Sequence, residues 1–71
     1  MNRFKRFRLL ADMTMEEAAQ RLGISRGSIS QWENARTLPH SFRLRKLADV
    51  YGCTIADLLG DNGEARNEKQ S

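Results

Sequence analysis

The chain has 71 residues, of which 12 are Lys or Arg and 9 are Asp or Glu, with one cysteine and one histidine. That length has room for one domain and not for a second, ligand-sensing or catalytic one. A lone Cys53 excludes an intramolecular disulfide and a cysteine-rich metal site, no apolar run approaches the ~18 residues of a membrane span, and no export signal follows the basic start. Residues 1–59 carry 10 basic and 6 acidic side chains, whereas residues 60–71 carry 2 and 3. Positive charge is therefore expected on the folded part, where it can meet phosphate, and the expected compartment is the cytoplasm.

The first helix is predicted from about Arg3 to Ala11, with Phe4 and Phe7 inward, Leu10 or Met13 close behind, and Arg3, Lys5 and Arg6 facing out. Asp12 follows in a turn, a position that Asp tolerates well. Thr14 with Glu17 three residues later is a capping box, so the second helix should begin at Met15 and end at Gly23, where φ is expected to be positive. Ser25 suits the N-cap of a third helix. There Ile29, Trp32 and Glu33 share one face at i, i+3 and i+4. Roughly 180° away stand Gly27, Gln31 and Asn34, flanked by Arg26, Ser28 and Ser30. One face is a core face, and the other is small, polar and rich in hydrogen-bonding groups.

Residues 35–38 read as a loop, and Pro39 suits the first turn of a fourth helix. Leu44, Leu47, Ala48 and Tyr51 form its apolar stripe, and Gly52 ends it. Thr54 and Asp57 cap a short fifth helix that carries Ile55, Leu58 and Leu59. Residues 60–71 contain no large apolar side chain and should form a disordered polar tail after a domain spanning 1–59. Strand signals are absent, so the predicted fold class is all-α. Trp32 falls in the core register rather than on a stacking surface, Cys53 reads as a packed thiol, and His40 as a loop residue without catalytic or ligand partners.

Ala19, Gly23 and Ile29 relate the second and third helices. A small residue lets two backbones approach, a turn glycine follows four positions later, and a β-branched plug comes six after that. This register outlines a helix-turn-helix. The segment SRGSISQWENA, preceded by TMEEAAQRLG and followed by a loop to Pro39, resembles the Xre-type, or lambda-repressor-like, helix-turn-helix family. The resemblance extends from about Arg3 to Leu59. It rests on Phe4, Phe7 and Arg8, on Ala19, Leu22, Gly23, Ser25, Ile29 and Glu33, and on Pro39, Leu44, Leu47, Ala48 and Gly52. It implies a compact five-helix domain that reads double-stranded DNA as a dimer. It also implies that Arg8 pairs with Glu33, whose inward carboxylate would be costly if left alone.

Arg26, Gly27, Ser28 and Gln31 are the candidates for base contact. Arg can hold guanine O6 and N7, and Gln can hold adenine N6 and N7, each through two hydrogen bonds. Gly27 would let the helix sit deep in the groove. Thr14, Met15, Ser25, Asn34 and Arg36 are the phosphate candidates, because the N-terminus of the second helix offers free N–H groups and a positive dipole end. Met15 departs from the glutamine of many relatives and cannot donate to a base. Ala35 replaces a frequent glycine, which suggests a different exit from the third helix. Tyr51, Ile55, Leu58 and Leu59 are the candidate dimer interface, with Val50 nearby.

The expected function is that of a sequence-specific transcriptional regulator, a repressor by resemblance, acting without cofactor, metal or small-molecule ligand at a near-palindromic operator. The other class left open is a protein-interaction module on the same scaffold, such as an antitoxin-type partner-binding protein. Enzymatic activity is not expected, since no phosphate-binding loop, metal cluster or nucleophile–base pair stands at motif spacing.

Overall fold

A computed structural model describes residues 2–60, and every regular element among them is a helix. In chain order these are α1 (Arg3–Leu10), α2 (Met15–Leu22), α3 (Arg26–Glu33), α4 (Ser41–Tyr51) and α5 (Ile55–Leu59). Local hydrogen bonds start most of them. Asn2 Oδ1 accepts from Lys5 N at 3.0 Å ahead of α1, and Ser25 Oγ accepts from Ser28 N at 3.3 Å ahead of α3. Both Thr14/Glu17 and Thr54/Asp57 form complete capping boxes. Each cap satisfies an orphan N–H and contributes about 1 kcal/mol.

α4 starts differently from the sequence expectation. His40, in extended conformation, is its N-cap and offers no side-chain hydrogen bond, so Pro39 lies before the helix rather than in its first turn. The His40 carbonyl takes the first helical bond from Leu44 N at 2.8 Å. Pro39 is buried, as is Leu44. The two occupy the N′ and N4 positions of a hydrophobic staple, which puts the proline ring to use as an apolar plug.

The first four helices end alike. A residue with positive φ follows each: Asp12 (61°), Gly23 (70°), Ala35 (58°) and Gly52 (70°). The next amide then reaches back to the last turn, as Met13 N to Arg8 O (3.2 Å), Ile24 N to Ala19 O (3.0 Å), Arg36 N to Gln31 O (2.9 Å) and Cys53 N to Ala48 O (3.0 Å). These are Schellman closures. The exit from α3 is therefore the glycine-type exit, not a different one. Ala35 adopts the left-handed conformation at a cost of about 1–2 kcal/mol, because the closing bonds and the chain beyond require it. Met13, Ile24 and Cys53, the residues that make these back-bonds at α1, α2 and α4, are all half-buried against the core. Arg36 at the same place after α3 is exposed.

The core draws on all five helices: Phe4; Ala18, Ala19 and Leu22; Ile29 and Trp32; Leu44, Leu47, Ala48 and Tyr51; and Leu58. Met13 rather than Leu10 follows Phe4 and Phe7 inward, and Leu10 is exposed. Arg3 does not face out. It is half-buried, and its guanidinium crosses to the end of α5, donating to Asp57 O at 3.4 Å, where a cation meets the negative end of a helix. Burial, with the charge of Asp57 second, pushes the Cys53 thiol up, in keeping with a packed rather than a reactive sulfur.

Two members of the expected dimer surface belong to the core instead. Tyr51 is 6% exposed and Leu58 2%, whereas Leu59 is 45% exposed and Ile55 and Val50 are half-buried. Tyr51 continues the inward stripe of α4, and α5 has only one position that points straight at the core, which Leu58 takes. Of the expected polar tail, residues 60–71, all but Gly60 lie outside the described residues; Gly60 closes α5 with φ 76°.

Candidate nucleic-acid interface

α3 divides into an inner and an outer surface. Ile29 and Trp32 are buried, and Glu33 beside them is held by Arg8 of α1. Arg8 Nε lies 2.6 Å from Glu33 Oε2, and Nη2 lies 3.0 Å from Oε1. Nη1 donates to Met13 O at 2.9 Å. Both side chains are less than a tenth exposed. The two-pronged contact is what the planar guanidinium does best, and it satisfies both carboxylate oxygens of Glu33. The hydrogen bond to Glu33 raises the Arg8 pKa further, against the opposing effect of burial. A second tie runs from Asn2 Nδ2 to Trp32 O at 2.9 Å.

The outer surface carries Arg26, Gly27, Gln31 and Asn34, all exposed, with Ser28 and Ser30 half-buried on its flanks. Arg26 makes only a loose, exposed contact with Glu16, at 3.6 Å. Such a pair contributes little and leaves the guanidinium available. Gln31 Oε1 is 3.5 Å from the Thr37 hydroxyl, a long contact. Gly27 sits in ordinary helix, and a Cβ there would meet only Ser25 Oγ, at 3.7 Å. Nothing in the fold requires a glycine at that position.

Ser28 Oγ shares a 3.3 Å hydrogen bond with Ser25 Oγ, so the two hydroxyls act as one unit at the start of α3. Asn34 turns back on its own helix, its Nδ2 donating to Ser30 O at 2.9 Å and to Ser30 Oγ at 3.3 Å. Its side-chain nitrogen is thereby engaged at the end of its own helix.

The start of α2 stands next to the start of α3. Asp12, Thr14, Met15, Glu16 and Arg26 line one shallow depression. Thr14 Oγ accepts from Glu17 N at 3.1 Å, which leaves its own proton to donate, and the N–H groups of the first turn lie beyond the helix's ladder. Met15 packs its thioether against the core and offers only its backbone N–H. Glu16 in the same turn carries the same sign of charge as a phosphate and would repel one seated there.

Some features of this surface escaped the sequence reading. Arg43 Nη1 donates to Leu22 O at 3.0 Å, closing the end of α2 from α4. Leu38 and Phe42 are each 70% exposed, and Phe42 borders a depression shared with Arg21, Arg45, Lys46, Asp49 and Val50. The inward stripe of α4 implies that 42, 45, 46 and 49 face outward, and that was the available signal. Among the described residues no group of three or more His, Cys, Asp or Glu could hold a metal ion, and no helix is long and apolar enough to cross a membrane.

A helix-turn-helix family model matches residues 4–58, which takes in all of α2, α3 and α4 and all but one residue each of α1 and α5. Neither the comparison with curated proteins nor that with solved structures gives a match.

Proposed function

Because the chain belongs to the Xre-type, lambda-repressor-like helix-turn-helix family of DNA-binding regulators, we propose that it is a transcriptional repressor reading a near-palindromic operator as a homodimer. The observation that carries this reading is the outer face of α3. It is exposed, polar and free of any packing duty, while the inner face is clamped by Arg8 and Glu33. In the major groove Arg26 and Gln31 supply the two-pronged base contacts, Gly27 admits close approach, and Ser28 lines the groove floor. The Thr14 hydroxyl, the Met15 N–H, the Ser25 hydroxyl and Arg36 take phosphates, fixing register without reading sequence.

A single helix reads too few base pairs for useful specificity, which is why a second copy is needed. Leu59, with half-buried Ile55 on the same helix, is what remains of the expected apolar surface for that copy once Tyr51 and Leu58 are assigned to the core. The site of action is the cytoplasm, at the nucleoid, and the role is one of binding rather than catalysis.

Selection of bound sites from a random duplex pool tests the reading. The expected product is a pair of inverted half-sites about 34 Å apart, one helical turn. Gln31→Ala should then relax one base position at about 1–3 kcal/mol, while Arg36→Ala should weaken all duplexes alike. Failure to enrich any site, or unchanged site preference in the Arg26→Ala, Gln31→Ala double variant, would refute it. A protein-interaction module is the second reading, favoured by exposed Phe42 beside the cations of α4.

A further inference from the structure

α3 is fastened to α1 at two points, and both lie at the C-terminal end of α3: Glu33 through Arg8 and the Trp32 carbonyl through Asn2. Asn2 uses both ends of its amide. Its oxygen caps α1 by accepting from Lys5 N, and its nitrogen donates to Trp32 O. Capping needs only the oxygen, and Ser would serve nearly as well. The donor is what an amide adds. Trp32 O already accepts from Ala35 N at 3.2 Å, so Asn2 fills its second lone pair.

We propose that Asn2 is a positioning residue for DNA reading, setting the tilt at which α3 enters the groove; this rests on the DNA-binding function proposed above. Residues 2 and 8 are about 9 Å apart along α1. The two ties therefore hold α3 from opposite ends of α1, so Asn2 adds a second anchor about 9 Å from the Arg8–Glu33 contact and widens the base that resists tilt. Arg26, at the other end of α3, is about 9 Å from Trp32. A tilt of about 10° about that end carries Arg26 roughly 1.5 Å, more than a base-reading hydrogen bond tolerates.

The full chain carrying Asn2→Ser keeps a capping oxygen but cannot reach Trp32 O; Asn2→Ala loses both cap and tie. For each, the unfolding midpoint is measured, along with affinity for the selected site and for an unrelated duplex at one salt concentration, well below the midpoint. The expected result is a loss of about three- to tenfold in the ratio of selected to unrelated affinity in both variants, the size of one hydrogen bond. Affinity for the unrelated duplex should be unchanged, and the midpoint should fall clearly only in Asn2→Ala. A ratio unchanged in Asn2→Ser, or one that falls only in Asn2→Ala along with its midpoint, overturns the assignment and leaves Asn2 as a cap alone. If the wild-type chain selects a site and Asn2→Ser selects it equally well, DNA reading stands and positioning by Asn2 falls. If the wild-type chain selects none, both fall.

Discussion

The two neighbours of α3 hold it by unlike means. Toward α2 the contact is extensive and apolar, with small Ala18 and Ala19 set in one core cluster with Ile29. Toward α1 it is polar and directional, through the Arg8–Glu33 pair and the Asn2–Trp32 carbonyl bond. Dispersion and apolar burial favour closeness but are indifferent to small rotations, whereas a two-pronged ion pair has one good geometry. Nearness and much of the stability thus come from α2, and the angle of α3 from α1.

The sharpest way to break the α1 side is to strand one charge. Arg8→Met or Glu33→Leu alone should each cost about 3–5 kcal/mol, while the double variant should lose less than either, because no buried charge is left unpaired. Denaturant unfolding of the three variants decides it. Additive losses would mean that the pair does not act as a unit.

The surroundings of the same pair should also limit stability in alkali. Burial first, and the charge of Glu33 second, push the Tyr51 phenol well above its ordinary 10.0. The unfolded phenol loses its proton near pH 10 while the folded one keeps it, so the stability Tyr51 contributes is intact below that pH and declines as pH rises above it. Thermal melts between pH 8 and pH 11 should show this decline, and Tyr51→Phe should make it shallower. Cys53, whose thiol is also raised, adds to the decline in the same direction.

On the α2 side there is no partner to rescue. Ala18 is fully buried, and Ala18→Leu should cost about 1–3 kcal/mol by overpacking. Unlike the ion-pair singles, it should not be relieved by a second change at Glu33. The smallest effect is a gain. Ala35→Gly should stabilise the fold by about 1 kcal/mol, since it relieves a left-handed alanine, whereas Gly23→Ala should cost a similar amount at the matching exit of α2. A loss on Ala35→Gly, read as a lowered melting midpoint, would mean that the exit of α3 carries no strain.

The helix starts were legible because their signals are local. Thr14 with Glu17, Thr54 with Asp57, and Ser25 ahead of α3 bond within three residues, so spacing alone reveals them. The register of Ala19, Gly23 and Ile29 and the stripe of α4 were readable for a related reason: a helix repeats every 3.6 residues, and one buried face leaves a periodic trace. Together these residues outlined five helices, a helix-turn-helix and the polar outer face of α3.

Helix docking decided the rest. The bonds from Asn2 to Trp32, from Arg8 to Glu33 and from Arg43 to Leu22 join residues 30, 25 and 21 apart, and no local spacing encodes such a meeting. Only the Arg8–Glu33 pair was foreseen, through family resemblance and not from chemistry alone. Burial went the same way: Tyr51 and Leu58 look as available as Leu59 in the sequence, yet the first two face the core. Ala35 shows the limit most plainly. Local preference argues against a left-handed alanine, but the 2.9 Å closing bond from Arg36 to Gln31 and the path onward to α4 outweigh about 1–2 kcal/mol of strain. Local hydrogen bonds and periodicity determine which segments are helices; where those helices touch, and what strain they bear, follows from the one packing that satisfies all five together.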